Sequence, residues 1–575
     1  MKTQFTSPLL LLTLFSLFTS LQLLAQSSED KGPVYSDLIS FYQEISNTHS
    51  NALLLEEGTT DSGKPLHLFL LQKEPIQSSQ SLEQLRKNKL VIFINNGIHP
   101  GESCGIDASR IWMDDLVANP KSIPEGILIA IIPVYNIGGL LQQRIQTRAN
   151  QNGPEFQGFR GNAQNLDLNR DFIKSDAKNT ASFQSIFRRL EPELFIDTHT
   201  SNGADYQYVM TLISTQHNKL APPLAKLLND KFEPALYAEM KSRNFEMIPY
   251  VNVHGEVPNE GYSAFLETPR YASGYTSLFH NLGFITEAHM LKSYSERVAS
   301  TLAFLESFLK KASEFKSQII LAIEESREWE ISQKYLPIRW EIDSSISRTL
   351  DFKGYEYKYI QSELGQYKRL KYLSDKPETF PVSFYPDYKA IDSIILPSYY
   401  ILPAAFHEVV SRLRNSGVEM SPLKNDSTIE VISTYFREEQ FSPQLYEGRL
   451  YIKDFKSEER LQERKFYRGD WIISTSSNPR FFLASTLEPQ AIDSYLRWGF
   501  FSIIFQQKEY FSSYVFEDTA MELLENQPEL KLQFEEWKAE NSEALNNPYL
   551  VLDFIYKHSP YYELEHKRYP VAKIK

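Results

Sequence analysis

The stretch LVIFINNGIHPGE (residues 90–102) joins an unbroken apolar run to a short polar loop that carries a histidine and a glutamate. The apolar run at 90–94 is bounded by polar residues, which is typical of a strand buried in the middle of a sheet. The loop then supplies His99 and Glu102, and two intervening residues let both side chains reach one ion. A helical pattern follows at 105–117. The stretch therefore predicts a core strand whose end carries two candidate metal ligands.

Three further apolar runs repeat this pattern, with helical stretches between them. They comprise residues 127–133, 194–197 and 284–287. Alternation of strand and helix indicates an α/β sheet with helices on both faces. In such sheets, ligands bind beyond the carboxyl ends of the strands. His199 lies two residues after one run and Glu287 ends another, so both are predicted to lie at the same edge of the sheet as His99.

Two imidazoles and one carboxylate make the ligand set of a catalytic zinc site, which keeps its fourth position open for water. The candidates are His99, Glu102 and His199, and we expect one Zn²⁺ per chain. Glu287 is the candidate general base at such a site. Arg170 is suited to hold an anionic group of a substrate. Since a histidine and a glutamate at this spacing often occur by chance, the ordered set of residues carries the prediction.

Composition and the first residues bear on partners and location. The chain has 575 residues and a formal net charge of -13, which argues against nucleic acid or an anionic membrane as a partner. Lys2, the apolar run 9–24 and Ala25 predict a cleaved signal peptide over residues 1–25. We therefore expect an exported protein, periplasmic or secreted, with no membrane span in its mature form. The single cysteine, Cys104, excludes an intramolecular disulfide.

The length exceeds what one hydrophobic core usually organises, so at least two domains are expected. Residues 26–310 carry the strand and helix alternation and form the predicted catalytic domain. The charged, helical pattern of residues 311–345 predicts a connector. From residue 346 onward the composition shifts to many tyrosines, prolines and short strands. Residues 346–575 are therefore predicted to be an accessory α/β or α+β domain of unknown function.

In four stretches the chain resembles the M14 family of zinc carboxypeptidases. The matching text is HPGES at 99–103, FRGNAQNLDLNRDF at 159–172, FIDTHT at 195–200 and GFITEAH at 283–289. The resemblance spans residues 34–310 and implies a mixed, mostly parallel sheet with helices on both faces. It also implies that His99, Glu102 and His199 hold the zinc.

The resemblance further implies how a substrate is held. Asn169 and Arg170 match the pair that binds the free α-carboxylate of the substrate, a group that a planar guanidinium suits well. In the family, an arginine upstream of this pair polarises the scissile carbonyl and stabilises the oxyanion. Arg160 is the preferred match, and Arg148 is the alternative because residues 150–159 read as an insertion.

Three more positions follow from the same resemblance. Asp167 falls where the family has a carboxylate that orients a zinc-bound histidine. Glu287 matches the glutamate that takes a proton from zinc-bound water and passes it to the leaving amine. A mobile tyrosine precedes that glutamate in the family, and Tyr275 is the preferred candidate here, with Tyr271 left open. Arg270 could also reach an acidic substrate.

These features predict a zinc-dependent exopeptidase that acts on peptides with a free C-terminal carboxylate. It would remove C-terminal residues by attack of zinc-bound water, with Glu287 as the general base. One alternative is a zinc amidase or deacylase acting on cell-wall peptides or N-acyl amino acids, since such enzymes use a similar zinc set. Another is a non-catalytic peptide- or sugar-binding protein that uses the aromatic residues of 346–575. Retention of every zinc and catalytic position favours the enzyme.

Overall fold

The computed structural model describes residues 31–575, which form two compact units. The first unit contains the chain up to Leu396 together with Glu408–Met420 and Ser474–Ser494. The second contains Pro397–His407, Ser421–Ile473 and Tyr495–Lys575. The signal peptide predicted for residues 1–25 lies outside the described residues.

Within the described residues, the strands of the first unit have at most eight residues before residue 290 and between 8 and 18 after it. In chain order they are β1 Ala52–Thr59, β2 Pro65–Leu71, β3 Leu90–Asn95, β4 Ile127–Ile132, β5 Arg144–Ile145, β6 Phe156–Gln157, β7 Leu194–Ser201, β8 Met210–Ser214, β9 Ile248–Pro249, β10 Asn252–Val253, β11 Tyr262–Ser263, β12 Leu282–His289, β13 Tyr335–Ile342, β14 Arg348–Gln361, β15 Lys368–Tyr385 and β16 Tyr388–Ile395.

The α-helices of the described chain range from single turns to one of 39 residues. They are α1 Tyr35–Thr48, α2 Leu82–Arg86, α3 Cys104–Ala118, α4 Ile137–Leu140, α5 Lys178–Leu190, α6 Pro222–Leu227, α7 Glu233–Ser242, α8 Ala272–Thr276, α9 Tyr294–Ser332, α10 His407–Asn415, α11 Arg480–Leu487, α12 Ser513–Asn526, α13 Pro528–Glu540 and α14 Pro548–Lys557.

An eight-stranded sheet organises the first unit, in the order β1-β2-β4-β3-β7-β12-β8-β9. The four central strands β4, β3, β7 and β12 run parallel to one another. Antiparallel pairs flank them, β2 against β4 on one side and β8 against β12 on the other. The predicted fold class, a mixed and mostly parallel sheet with helices on both faces, is confirmed.

The residues of β3 show why this strand lies at the centre. All six are buried, and their side chains alternate between the two faces of the sheet. Ile92 and Ile94 belong to the core cluster that also contains the buried residues of α3 and α9. Phe93 points to the other face, where its ring lies 5.3 Å from that of Phe183 in α5. Burial on both faces is what the unbroken apolar run requires.

Helix α9 is continuous over 39 residues and begins with a capping box between Ser293 and Glu296. Its apolar side stays in the main core as far as Ile323. The predicted connector, residues 311–345, therefore coincides with the second half of α9 and with β13.

The division into units does not follow the predicted boundary at residue 346. Strand β15 pairs in parallel with β11, with Tyr262 opposite Phe384, and β14 pairs with β15. The strands directly after residue 346 therefore complete a sheet with a strand of the predicted catalytic domain. Residues Ser474–Ser494 also belong to the first unit, although they follow it far along the chain.

The second unit has its own sheet, in the order β18-β21-β17-β22-β19-β20, and its own helical cluster. Its strands are β17 Tyr399–Leu402, β18 Ser421–Pro422, β19 Ser427–Phe441, β20 Ile452–Phe466, β21 Trp471–Ser474 and β22 Ala572–Ile574. Helices α12, α13 and α14 share a core that includes Phe516, Phe534 and Ile555. Within residues 31–575, no helix combines the length and the apolar character needed to cross a bilayer.

Candidate metal centre and substrate cleft

His99, Glu102 and His199 meet at the carboxyl edge of the main sheet. His99 and Glu102 lie in the loop between β3 and α3, and His199 lies in β7, the strand beside β3. The two carboxylate oxygens of Glu102 lie 3.2 Å from His99 Nδ1 and 3.0 Å from His199 Nδ1. One candidate ligand atom from each residue falls within 4.8 Å of the others, and all three residues are buried. Among the described residues, this is the one group of at least three histidine, cysteine, aspartate or glutamate side chains that could hold a metal ion.

The other nitrogen of each histidine faces a carboxylate. His99 Nε2 lies 3.0 Å from Asp167 Oδ1, and His199 Nε2 lies 3.0 Å from Asp197 Oδ2. An imidazole that donates Nε2–H to a carboxylate leaves the lone pair of Nδ1 free for a cation. Two such nitrogens and one carboxylate are the donor set of a zinc site with an open position. The residues present therefore fit zinc.

Asp167 is held as a carboxylate. Burial alone would raise its pKa, but the hydrogen bond from His99 and the charge of Arg160 hold the pKa of Asp167 well below its usual range. Arg160 Nη2 lies 2.9 Å from Asp167 Oδ2. Asp167 thus accepts from a ligand candidate and from the preferred oxyanion arginine at once.

Asp197 is a site residue that the sequence reasoning missed. It lies two residues before His199 in β7, so both side chains point to the same face of the strand. The signal was present in the FIDTHT stretch, because a carboxylate at this spacing can bond to the histidine that follows it. Asp197 is completely buried, and its Oδ1 has no hydrogen-bond partner in the described part of the chain.

Replacing Asp197 with asparagine should weaken zinc binding by roughly 10–100-fold, because a neutral amide accepts less strongly than a carboxylate and makes the imidazole a poorer ligand. Competition with a fluorescent chelator would measure the affinity. Asp205→Asn is the matched control, since Asp205 also bonds to a buried histidine, His289, but lies outside the donor set. Equal affinities in wild type and Asp197→Asn would contradict the role of Asp197.

Glu287 lies in the same cleft, directly opposite His199 in the parallel pairing of β12 with β7. Desolvation by the surrounding protein raises the pKa of Glu287 to about 8 in the absence of a cation. A metal ion in the neighbouring donor set would favour the ionised form of this carboxyl group. Glu287 thus has the position and the environment of a group that gains and loses a proton.

Both candidate oxyanion arginines reach the cleft. Arg148 Nη1 lies 2.8 Å from Glu102 Oε1, and its side chain is 20% exposed. Arg160 is 45% exposed and bonds to Asp167, with its Nη1 3.7 Å from Glu102. Arg148 is therefore tied to a candidate metal ligand, whereas Arg160 is more accessible from the cleft. The preference for Arg160 stays a prediction.

Asn169 and Arg170 form a second polar corner of the cleft. Arg170 Nη1 donates to the Asn169 carbonyl at 2.8 Å, and the guanidinium carbon lies 4.6 Å from the centre of the Tyr271 ring. Asn169 Oδ1 is buried and has no hydrogen-bond partner among the described residues. In this corner the Asn169 side-chain N–H groups and the stacked Arg170 guanidinium, rather than Asn169 Oδ1, can donate to a carboxylate.

The structure does not bring Tyr275 to the cleft. It lies in α8 and is fully buried, and its hydroxyl donates to Ser416 Oγ at 3.1 Å. Its ring packs in an aromatic cluster with Phe187 and other core residues, which explains why the side chain turns inward. Tyr271, the open alternative, lines the cleft. Arg270 is not a lining residue, because its guanidinium pairs with the buried carboxylate of Asp493 at 2.7 Å.

The rest of the cleft wall is apolar or uncharged. The cleft has a volume of about 230 Å³, and its charged lining residues are those already described. Its apolar and aromatic lining consists of Ile213, Tyr250, Phe265, Tyr271 and Ile285. The rings of Tyr250, Phe265 and Tyr271 follow one another at 6.1 and 5.2 Å. Sequence reasoning did not find this wall, because its members come from separate strands and loops.

The chain is similar to known carboxypeptidases in sequence. Residues 38–222 match the zinc carboxypeptidase family model, Peptidase_M14. The chain is 23% identical over 454 residues to carboxypeptidase 2 of Trichophyton tonsurans, with 73% of this chain and 76% of that protein covered. It is 23% identical over 449 residues to carboxypeptidase 2 of Trichophyton rubrum, with the same coverage. A metallo-carboxypeptidase structure from Burkholderia cenocepacia aligns with a TM-score of 0.38 and 16% identity, over 49% of this chain and 70% of that one.

Proposed function

Since this chain is a metallocarboxypeptidase of the M14 family, we propose that it is a zinc-dependent exopeptidase that removes residues singly from the carboxyl end of peptides. The observation that carries the proposal is that His99, Glu102 and His199 each offer a ligand atom within 4.8 Å of the others, with both Nδ1 atoms facing the Glu102 carboxylate. The polar corner of Asn169 and Arg170 opens into the same cleft. A zinc centre beside a carboxylate receptor is the arrangement that cleavage at a free C-terminus requires.

The residues divide the work of the reaction. His99, Glu102 and His199 would hold a zinc ion, which would act as a Lewis acid on the scissile carbonyl and on a water molecule. Glu287 would accept the proton of the attacking water and return it to the leaving amine.

The remaining cleft residues orient the substrate and stabilise charge. Arg160, with Arg148 as the alternative, would donate to the developing oxyanion. Asn169 and Arg170 would hold the terminal carboxylate, and Tyr271 would keep the Arg170 guanidinium in place by stacking on it. Fixing the terminal carboxylate selects the last peptide bond, which is what makes the enzyme an exopeptidase.

Digestion of a mixed peptide library by the purified protein, read by mass spectrometry with and without a chelator, tests the proposal. We expect chelator-sensitive loss of single C-terminal residues, and no cleavage of the same peptides with amidated C-termini. Intact peptides despite a full zinc complement would contradict it and would favour acylated or cell-wall substrates.

We also propose that the protein is exported to the periplasm or the medium, because residues 1–25 resemble a signal peptide. N-terminal sequencing of the exported protein checks this proposal.

The uncharged wall predicts a preference for large apolar C-terminal residues. We expect kcat/KM to be about 30-fold higher for peptides ending in phenylalanine or leucine than for those ending in lysine or aspartate. This ratio corresponds to about 2 kcal/mol from burial of an apolar side chain. Ile213→Asp should reduce this preference, whereas Ile395→Asp, at an exposed strand position outside the cleft, should leave it unchanged. Faster release of a charged residue by the wild type would contradict this account of the wall.

A further inference from the structure

A second cavity of about 130 Å³ lies within the first unit, on the far side of the segment that forms the aromatic wall of the cleft. Residues 266–269 line this cavity, whereas their neighbours Phe265 and Tyr271 line the cleft. Other parts of the lining come from β13, from α11 and from residues 491–493. One short segment therefore separates the two spaces.

Three buried polar atoms belong to residues that line this cavity and lack a hydrogen-bond partner in the described part of the chain. They are Glu267 Oε2, Thr268 Oγ1 and Trp340 Nε1. Buried polar groups in native proteins are nearly always paired, because an unpaired group costs about 1–3 kcal/mol. Three such atoms around one cavity indicate an occupant that carries both donors and an acceptor.

The Glu267 carboxylate is fixed by its other oxygen. Oε1 accepts from the backbone N–H of Gln216 at 2.9 Å and lies 2.9 Å from Lys219 Nζ. The side chain is fully buried, so Oε2 cannot turn to solvent. A carboxylate oxygen accepts only, so its missing partner must be an N–H or O–H donor.

The opposite requirement comes from β13. The Trp340 indole N–H can only donate, and the exposed Arg339 guanidinium beside it on the lining forms no ion pair with any described residue. These two groups suit a carboxylate. The apolar part of the lining includes Leu266, Leu278, Ile338 and Phe481.

We propose that this cavity is a binding site for a free α-amino acid with an apolar side chain. The ammonium group donates to Glu267 Oε2 and Thr268 Oγ1. The carboxylate accepts from Trp340 Nε1 and from Arg339. The side chain packs against the apolar lining, and the zwitterion brings no net charge into the cavity.

Such a ligand is also what the proposed reaction releases, although this link, unlike the site itself, rests on the proposed function. Because Tyr271 stacks on Arg170 and Phe265 contacts Tyr271, an occupant that stiffens or shifts residues 266–269 acts on the wall of the cleft. An amino acid bound in this cavity therefore changes kcat without occupying the cleft.

Binding of L-leucine, measured by isothermal titration calorimetry, tests the site without requiring catalysis. The full-length Arg170→Met protein serves as background, so that the cleft does not capture the amino acid through its carboxylate. We expect saturable binding that Trp340→Phe and Arg339→Met each weaken at least about tenfold, as loss of one hydrogen bond to a charged group predicts. The matched controls Trp537→Phe, in the second unit, and Arg369→Met, on an exposed position of β15, should bind like the background.

Ligand analogues separate the two polar ends. Isopentylamine, which lacks the carboxylate, and 4-methylpentanoate, which lacks the ammonium group, should each bind at least about tenfold more weakly than leucine. Absence of saturable leucine binding in a protein with an unchanged melting temperature would overturn the site and leave water as its occupant. Binding that Trp340→Phe and Arg339→Met both leave unchanged would equally overturn it, because the ligand would then lie elsewhere.

Discussion

Replacing Glu287 with glutamine should lower kcat by about 1,000-fold while the protein keeps its zinc, the loss expected when a positioned general base is removed. Glutamine matches the size of the glutamate but cannot accept a proton. Glu287 lies opposite His199 in the strand pairing and is not one of the three convergent ligand atoms, so the substitution leaves the donor set intact. Turnover of a chromogenic C-terminal substrate, measured beside zinc content by mass spectrometry, gives both readouts from one preparation.

A matched control is available for this substitution. Glu233 is another glutamate whose pKa is raised by desolvation, but it lies in α7 and outside the cleft, where it accepts from Ser214 Oγ at 2.7 Å. Glu233→Gln should retain near-normal turnover. If Glu287→Gln also turned over normally, the assignment of the general base would be wrong, whereas loss of zinc along with activity would make Glu287 a structural residue of the metal centre.

Replacing Glu102 with glutamine should remove both zinc and activity. Glu102 is the only anion of the donor set, and each of its two oxygens faces one of the histidine Nδ1 atoms. A neutral amide binds a dication poorly, and it also leaves the Arg148 guanidinium without its carboxylate partner at 2.8 Å. We expect zinc content after dialysis to fall to less than about a tenth of one ion per chain, with activity below detection.

The control for Glu102→Gln is Asp107→Asn. Asp107 is a buried carboxylate in the first turn of α3, close to Glu102 in the chain, and it contacts the Tyr294 hydroxyl rather than the donor set. A zinc content near one per chain in Glu102→Gln would exclude this residue as a ligand. Restoration of activity by added zinc in chelator-treated wild type, but not in Glu102→Gln, would link the metal to this carboxylate.

Much of the site could be predicted because its residues stand at the ends of apolar runs. Unbroken apolar runs in the sequence predict the buried strands β3, β7 and β12, and parallel strands have their carboxyl ends at one edge of the sheet. His99, His199 and Glu287 were therefore predicted to meet before any geometry was known. Tyr275, the preferred tyrosine, does not line the cleft. The sequence does not show which side of a five-residue helix faces the cleft and which faces the core.

What could not be predicted depends on contacts between distant parts of the chain. The cleft wall combines Ile213, Tyr250 and Phe265 from separate strands and loops. The pairing of β11 with β15 joins residues more than a hundred positions apart, and local patterning carries no information about it. The boundary predicted at residue 310 falls inside helix α9, because the exposed face of this helix becomes strongly charged beyond that residue, whereas its buried face continues to Ile323.

The candidate reacting groups and the candidate specificity wall lie in different parts of the fold. His199 and Glu287 lie on paired strands, whereas Phe265 and Tyr271 lie on the connection between β11 and α8. Backbone hydrogen bonds of the sheet hold His199 and Glu287 in register, so substitutions in the connection leave their relative position unchanged. We therefore expect homologous proteins to change their substrate preference through a few substitutions outside the sheet. Among such homologues, amino-acid substitutions should accumulate in this connection earlier than in the strands.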